Sequence, residues 1–235
     1  MTNSEYIGNE LHIFMKAVNW KKYWSSKVSP YIKGDVLEVG AGIGANTQYI
    51  ARDFKDISRL VCIEPDANLS ANIINDLPKS QIEKIEIKNC YLKDMDSSVK
   101  FDTILYIDVI EHIEFDADEV ELAKSYLKEG GHLIILVPAY NYLFSEFDKA
   151  IGHYRRYNKR MLLTSGGKGL TKVKLFYLDS VGVILSFTNK ILLKQGSPTM
   201  RQILFWDRLI VPISKIVDYI VFHAFGKSLV GIWRK

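Results

Sequence analysis

The chain alternates short apolar runs with segments whose apolar residues recur at helical spacing. Between Glu10 and Pro30, Leu11, Phe14, Met15, Val18, Trp20, Tyr23 and Trp24 follow such a spacing and predict one or two helices. From residue 35 on, strands and helices take turns. Predicted strands cover Asp35–Val39, Arg59–Glu64, Lys84–Lys88, Phe101–Asp108 and His132–Val137. Predicted helices cover Thr47–Asp53, Ala67–Leu77 and Asp116–Leu127, the last closed by Glu129-Gly130-Gly131. Such alternation predicts an α/β fold: a parallel sheet with helices on both faces.

After Pro138 the pattern changes. Residues 139–160 hold a dense set of aromatic and charged side chains and read as an insertion over the strand ends. The stretch Ser165-Gly166-Gly167-Lys168-Gly169 reads as a flexible connection, and Lys172–Leu178 as a sixth strand. Residues 180–235 alternate apolar clusters with Lys and Arg and read as a helical extension. The predicted organisation is a helical lid over 1–34, a core over 35–180 and an extension of the same domain over 181–235.

Composition changes this picture little, but charge changes it more. A hydrophobic share of 48% and a charged share of 25% suit a globular domain. The net charge of +4 divides unevenly: −8 over residues 1–152 and +12 over 153–235. A basic back half suits an anionic partner, or simply balances the acidic front half. Neither Val181–Asn189 nor Ile216–Phe225, which Asp218 interrupts, reaches the roughly 20 apolar residues that a spanning helix needs. A segment of this composition can instead lie on an anionic membrane surface. Met1–Glu5 shows no secretory signal, and Cys62 and Cys90 suggest no disulfide framework, so a cytoplasmic setting is expected.

The candidate chemistry begins where the first strand ends. Val36-Leu37-Glu38-Val39 runs into Gly40-Ala41-Gly42-Ile43-Gly44, a turn without side chains at three alternate positions, before the next helix. Backbone there can approach a ligand closely. A dinucleotide site has the longer spacing G-x-G-x-x-G. Glu64 follows Gly44 by 20 residues, at the end of the second strand, where a carboxylate can accept both ribose hydroxyls. Glu38, Glu64, Asp108 and Pro138 all fall at the carboxyl ends of predicted strands, where such sheets bind ligands.

Together these motifs resemble the first two of the class I S-adenosylmethionine-dependent methyltransferases. Asp108-Val109-Ile110-Glu111-His112 is similar to that family's acidic-x-x-Glu-His stretch. The resemblance implies a Rossmann-like, doubly wound, mostly parallel seven-stranded sheet with S-adenosylmethionine as cofactor. It implies a cofactor site of Glu38, Gly40, Gly42, Gly44, Glu64, Pro65, Tyr91 and Asp108. Cys90 stands where the family usually has an acidic residue at the adenine, which leaves groups near Tyr91, or Asp94, to hold it. His112 reads as a packing or capping residue. No metal ligands are expected.

Methyl transfer to an oxygen or amine benefits from a general base. His153 is the candidate, with Asp148 five residues earlier to orient it. Arg155 and Arg156 can grip an anionic group or pair with the acidic front half. Tyr140 and Tyr154 complete the expected acceptor side. The run from Pro138 through Gly152-His153-Tyr154-Arg155-Arg156-Tyr157 resembles a bacterial and archaeal subgroup associated with polyprenyl-linked glycosyltransferase pathways. The resemblance extends through Tyr177-Leu178-Asp179-Ser180 and Trp206-Asp207-Arg208 to Gly226-Lys227-Ser228. It implies a saccharide- or lipid-linked acceptor, and the basic, aromatic residues 181–235 agree with it: they can make a peripheral contact with the inner face of the cell membrane, or pack on the sheet or on a second subunit. A soluble small-molecule N- or O-methyltransferase and a non-catalytic cofactor-binding protein are the alternatives. No nucleic-acid partner is expected, because no RNA-binding module is recognisable.

Overall fold

The computed structural model describes residues 10–77, 79–166, 169–188, 190 and 197–235. The N-terminal residues read for a signal, Gly167-Lys168 of the glycine-rich connection, and Asn189 lie outside them. Seven strands form one sheet: β1 (Gly34–Val39), β2 (Ile57–Ile63), β3 (Ile85–Lys88), β4 (Phe101–Ile107), β5 (Leu127–Pro138), β6 (Thr171–Leu178) and β7 (Ser228–Arg234). Their order is β3-β2-β1-β4-β5-β7-β6. The first five pair in parallel, and β7 lies antiparallel to both β5 and β6.

Neighbouring residues on each central strand belong to opposite faces. Val36, Leu60, Cys62, Leu105, Ile134 and Ile232 build one core. Leu37, Val61, Ile63, Ile104, Leu133 and Trp233 build the other. Both sides are apolar, so helices must cover both. The first core packs against α2 (Val18–Val28) and α3 (Thr47–Asp53). It also packs against the C-terminal group: α9 (Met200–Phe205), a π-helical turn at Trp206–Ile210 and α10 (Val211–Ile220). The second core packs against α5 (Asp116–Ser125) and α7 (Lys159–Gly166). The remaining helices are α1 (Glu10–Phe14), α4 (Ala67–Asn72), α6 (Glu146–Ala150) and α8 (Ser180–Thr188).

Three boundaries differ from the sequence reading. Helix α5 ends at Ser125, and Glu129-Gly130-Gly131 lies inside β5 instead of closing the helix. There the register with β4 jumps from Phe101–Leu127 to Thr103–His132, so the glycines form a bulge, with Gly130 at φ +77°. The helix expected over Ala67–Leu77 stops at Asn72 and tightens into a 3-10 turn. The end of the extension is not helical: Ser228–Arg234 is β7, whose Leu229-Val230-Gly231-Ile232-Trp233 supplies both cores in alternation. Gly231 leaves room there for the Trp233 ring, which a Cβ would overlap.

Buried carboxylates fix these parts together. Asp207 accepts from the backbone N–H groups of Asn19 and Trp20, at 3.2 and 2.8 Å, and so caps the start of α2 from far along the chain. Asp179 accepts from Trp206 Nε1 at 2.7 Å and Ser214 Oγ at 2.6 Å. Asp218 accepts from Tyr23 Oη and from the amides of Asp179 and Ser180, at 2.7, 2.7 and 2.8 Å. On the strand-end side, buried Glu38 accepts from Thr47 Oγ1 at 2.6 Å and the Cys62 thiol at 3.6 Å, which ties β1 to α3.

Two stability outcomes follow. Asp218→Ala strands three buried donors and should cost about 3 kcal/mol, roughly 6–12 °C in Tm by calorimetry. Burial pushes the pKa of Glu38 up to about 7, against hydrogen bonds from Thr47 and Cys62 and with the aid of Glu64. The ordinary value is about 4.3, so the folded state holds this proton more tightly than the unfolded chain. The Glu38 contribution is fully present below about pH 4 and is lost as pH rises through the folded pKa. Glu38→Gln carries no such loss. In urea titrations it should gain on the wild type between about pH 5 and 8, by on the order of 3 kcal/mol.

Candidate active site

The glycine turn is set by three close approaches. The amides of Gly40 and Ala41 both donate to the Ile63 carbonyl, at 2.9 and 3.1 Å, which swings the chain across the end of β2. Gly40 is at φ +68°, and a Cβ there would meet Val109 at 2.7 Å. A Cβ on Gly44, at φ +80°, would meet the Ile73 backbone at 3.0 Å. Gly42 is different: its Cβ position has only Leu11 of α1 nearby, at 3.7 Å. The turn thus keeps an open, side-chain-free face, and α1 lies over it.

Glu64 braces the turn from β2. Its Oε2 accepts from the Gly42 amide at 2.8 Å and its Oε1 from the Asp66 amide at 3.0 Å. Burial raises its pKa, against those two bonds. Each oxygen keeps acceptor capacity for a further donor. Asp66 then caps α4, accepting from the amides of Asn68 and Leu69. Asn89 Nδ2 donates to the Glu64 and Pro65 carbonyls, both at 2.9 Å, and so fastens the end of β3 to the end of β2. Cys90 and exposed Tyr91 follow, and the Tyr91 amide donates to Asp94 at 3.3 Å.

In front of the turn is a cavity of about 220 Å³. Gly40, Ala41, Gly42 and Asn46 form one wall, and Asp108, Glu111 and Pro138 come from the ends of β4 and β5. Phe14, Trp20 and Lys21 roof it from α1 and α2, while Trp206 and Lys227 close it from the C-terminal extension. Asp108 sits at φ +56°, a strained conformation for a residue with a side chain. The residue is exposed at the cavity it lines, with the cavity walls close around it. That enclosure pushes its pKa up to about 6, against the charges of Lys227, Lys21 and Arg156. Lys21 donates to the Phe14 carbonyl at 2.6 Å, and burial pulls its pKa down to about 8.

The opposite wall comes from the segment after β5. Asp148, fully buried in α6, accepts from the amide and the hydroxyl of Ser145, both at 2.8 Å. Arg156 clamps it from the other side through Nε at 2.8 Å and Nη2 at 3.0 Å. Gly152 turns the chain at φ +82° and delivers His153, whose Nδ1 lies 3.0 Å from Asp148 Oδ1. Burial works to raise the Asp148 pKa, but the His153 hydrogen bond, Arg156 and Ser145 outweigh it and hold the carboxyl well below the usual range. An ionised Asp148 fixes the proton of a neutral His153 on Nδ1 and leaves the Nε2 lone pair free. Nε2 lies 3.8 Å from Glu111 Oε1.

Glu111 is fully buried and neither of its oxygens has a hydrogen-bond partner. Burial first, then Asp108, raises its pKa well above the ordinary value, so it is held protonated. His112 stacks edge-on against His153 at 4.5 Å, and burial lowers its pKa to about 4. Glu111, His112 and His153 offer ligand atoms within 4.8 Å of one another. Ligand atoms around a zinc ion at 2.0–2.1 Å sit roughly 3.4 Å apart, so this group would have to contract to hold one.

The fold therefore brings Gly40, Gly42, Asp108, Asp148, His153 and Arg156 to one cavity. Glu38, Gly44 and Glu64 stand behind the turn as its supports, and Pro65 and Tyr91 continue along the ends of β2 and β3. Three residues expected on the acceptor side face elsewhere. Arg155 pairs with Asp116 at 2.7 Å and the Glu114 carbonyl at 2.6 Å, which is the contact with the acidic front half. Tyr140 is stacked between Tyr142 and Tyr177, each at 5.1 Å, and Tyr154 is exposed. Lys21, Trp206 and Lys227 had no assigned role in the sequence. Their signals were one of two adjacent lysines inside an aromatic helix and two short motifs far from the glycine turn.

Residues 37–133 match the family model described as a methyltransferase domain. No curated protein matches the sequence. Solved structures share the fold at low identity. A coclaurine N-methyltransferase bound to N-methylheliamine and S-adenosylhomocysteine is 13% identical with a TM-score of 0.62, over 93% of this chain and 72% of that one. The N-methyltransferase NodS from Bradyrhizobium japonicum, in complex with S-adenosylhomocysteine, is 13% identical with a TM-score of 0.60, over 98% and 94%. A phosphoethanolamine N-methyltransferase from Haemonchus contortus, in complex with S-adenosylmethionine, is 15% identical with a TM-score of 0.63, over 97% and 57%. From Leu37 to Leu133, the stretch that runs from β1 into β5 and contains the open glycine turn, this chain carries a methyltransferase domain, and S-adenosylmethionine is the cofactor such a domain uses.

Proposed function

We propose that the protein moves a methyl group from S-adenosylmethionine to an oxygen or nitrogen of a saccharide- or lipid-linked acceptor, with His153 as general base. The observation that carries this reading is His153, fixed on Asp148 through Nδ1 and lining the same cavity as the glycine turn. When bound, the cofactor supplies an electrophilic methyl group on a sulfonium. Gly40, Gly42 and Gly44 let the backbone approach it, with Glu38 holding the turn in place. Glu64 takes the ribose hydroxyls on its remaining lone pairs, Pro65 and Tyr91 flank the adenine, and Asp108 faces the methionine end.

His153 Nε2 would take the acceptor proton as the acceptor lone pair becomes the new bond to the methyl carbon and that carbon's bond to sulfur breaks, its electron pair leaving on the sulfur of S-adenosylhomocysteine. The resulting imidazolium is stabilised by Asp148, which Arg156 and Ser145 keep ionised and immobile. Phe14 and Trp20 exclude water above the reacting atoms. Arg156 lies on the acceptor side of the cavity, which Tyr140, Tyr154 and Arg155 do not border. The three structural relatives described above are N-methyltransferases, which supports nitrogen alongside oxygen as the acceptor atom.

The same reading gives residues 181–235 a peripheral contact with an anionic membrane at the cytoplasmic face. Leu209, Ile213, Ile216 and Ile220 recur along one face of the last helix, between 41% and 66% exposed, and Phe222 at its end is 90% exposed. Arg208 and Lys215 stand beside them. Among the described residues no helix is long and apolar enough to cross a membrane. A short amphipathic helix of this composition suits the interface plane.

Calorimetry should show S-adenosylhomocysteine binding; binding of NADH in its place would overturn the reading. His153→Ala should keep that binding and lower kcat by about 10²- to 10⁴-fold on extracted glycolipid acceptors; full activity would remove the base. The wild type should sediment with anionic vesicles at low salt, and Ile216→Asp with Ile220→Asp should abolish it. Failure of the wild type to sediment would favour a soluble acceptor.

A further inference from the structure

The cavity does not end at its aromatic wall. Beyond it is a second space of about 180 Å³. Phe14, Phe147 and Trp206 form the neck between the two, since all three border both. Most of the far chamber's surface is apolar, with Leu143 from the turn after β5, Leu185 from α8 and Ile203 from α9 on its walls, and Ser186, Thr188 and Gln202 among them. Its outer rim is Phe205, half-exposed on the same side as the apolar face of the C-terminal helices.

The neck carries charge that the fold itself does not use up. Arg156 and Lys227 border both spaces. Arg156 spends Nε and Nη2 on Asp148, but its Nη1 is buried and has no hydrogen-bond partner. Only 7% of Arg156 is exposed. Lys227 holds its ammonium 4.3 Å over the Trp206 ring, and among the described residues that ammonium donates no hydrogen bond. No carboxyl hydrogen-bonds Arg156 Nη1 or, among the described residues, Lys227 Nζ: Asp148 is taken up by Arg156 Nε and Nη2, His153 and Ser145, while Asp179 and Asp108 act on Lys227 only through space, against a burial that lowers its pKa. Asp108 stands on the wall of the first cavity, away from the chamber. A buried guanidinium N–H without a partner is expensive unless a ligand supplies the acceptor.

We propose that the two spaces form one acceptor site for an amphiphilic anion, whose phosphate or carboxylate is held at the neck by Arg156 Nη1 and Lys227 Nζ while its hydrocarbon fills the chamber. The proposal rests on the methyltransferase reading for its biological sense, because the acceptor atom then lies toward His153. Its physical content is independent of turnover. A guanidinium beside an ammonium matches an anion by charge and by hydrogen-bond geometry. The larger, apolar part of the chamber surface rewards a hydrocarbon chain. This narrows the acceptor from saccharide- or lipid-linked to lipid-linked, with the anionic group close to the methylated atom.

The test is calorimetric titration of the full chain, with and without S-adenosylhomocysteine, using single-chain probes below their critical micelle concentrations. Decyl phosphate and decanoate should both bind, and their order tells which anion the neck prefers. Inorganic phosphate should bind at least tenfold more weakly, and decyltrimethylammonium should not bind. Leu185→Trp, which fills the chamber, should weaken decyl phosphate at least tenfold, with S-adenosylhomocysteine binding as the check that it folds. Lys227→Met should remove the preference for decyl phosphate over decanol, and serves alone should Leu185→Trp not fold. Absence of binding by both anions to a protein that binds S-adenosylhomocysteine overturns the proposal and leaves the methyltransferase reading standing. So does equal binding of decyl phosphate by wild type and a folded Leu185→Trp. Loss of S-adenosylhomocysteine binding with anion binding retained would overturn the methyltransferase reading alone.

Discussion

The active-site wall depends on one buried carboxylate. Asp148 is fully enclosed, and an enclosed carboxylate survives ionised only if its acceptor sites are filled by charged or strongly polar donors. Here Ser145 supplies two donors, Arg156 two and His153 one. Each partner is thereby fixed by the same group. Ser145 starts α6, Arg156 begins the return to the sheet, and His153 lies between them at the tip of the Gly152 turn. His153 is positioned by an ion pair that stands behind it, and removing either charge leaves the other buried alone.

Strand ends concentrate strain in this protein. Asp108 after β4, Tyr140 after β5 and Asp179 after β6 all adopt positive φ without being glycine. Each is held by bonds to a neighbouring strand or loop: Asp108 donates its amide to Leu136, Tyr140 to Tyr157, and Asp179 to the Asp218 carboxylate. Side chains at such turns are aimed away from the sheet edge and across its end. Asp108 reaches the cavity this way, and Asp179 reaches Trp206, one of its closing residues.

What could be read in the sequence was what is local. The five parallel strands and the glycine turn depend on apolar runs and on residues within one βαβ unit, so composition and spacing reveal them. His153 and Asp148 lie five apart, and their pairing follows from that nearness. Arg155 and Arg156 are adjacent, yet one faces Asp116 and the other Asp148, a division that only the turn at Gly152 decides. Strand β7 was missed because Gly231 interrupts its apolar run and because its partners begin 101 and 57 residues earlier in the chain. Asp207, which caps α2 at a separation of 187 residues, leaves no sequence signal of its partner. Lys227 enters the site for the same reason: the residue before β7 lands beside β5 only once the hairpin closes.

That hairpin has a consequence for how the molecule is made. Strand β6 touches the rest of the sheet only through β7, which is inserted between it and β5. During synthesis the ribosome delivers β1 to β5 first, then β6, and β7 about 50 residues later. In that interval β5 presents a bare, apolar edge, the geometry most open to wrong pairing with another nascent chain. A ribosome that stalls anywhere between β6 and β7 would leave a polypeptide with the glycine turn, Glu64 and His153 all translated but with that edge still open. His153 is thus encoded well before the strand that covers the open edge of β5.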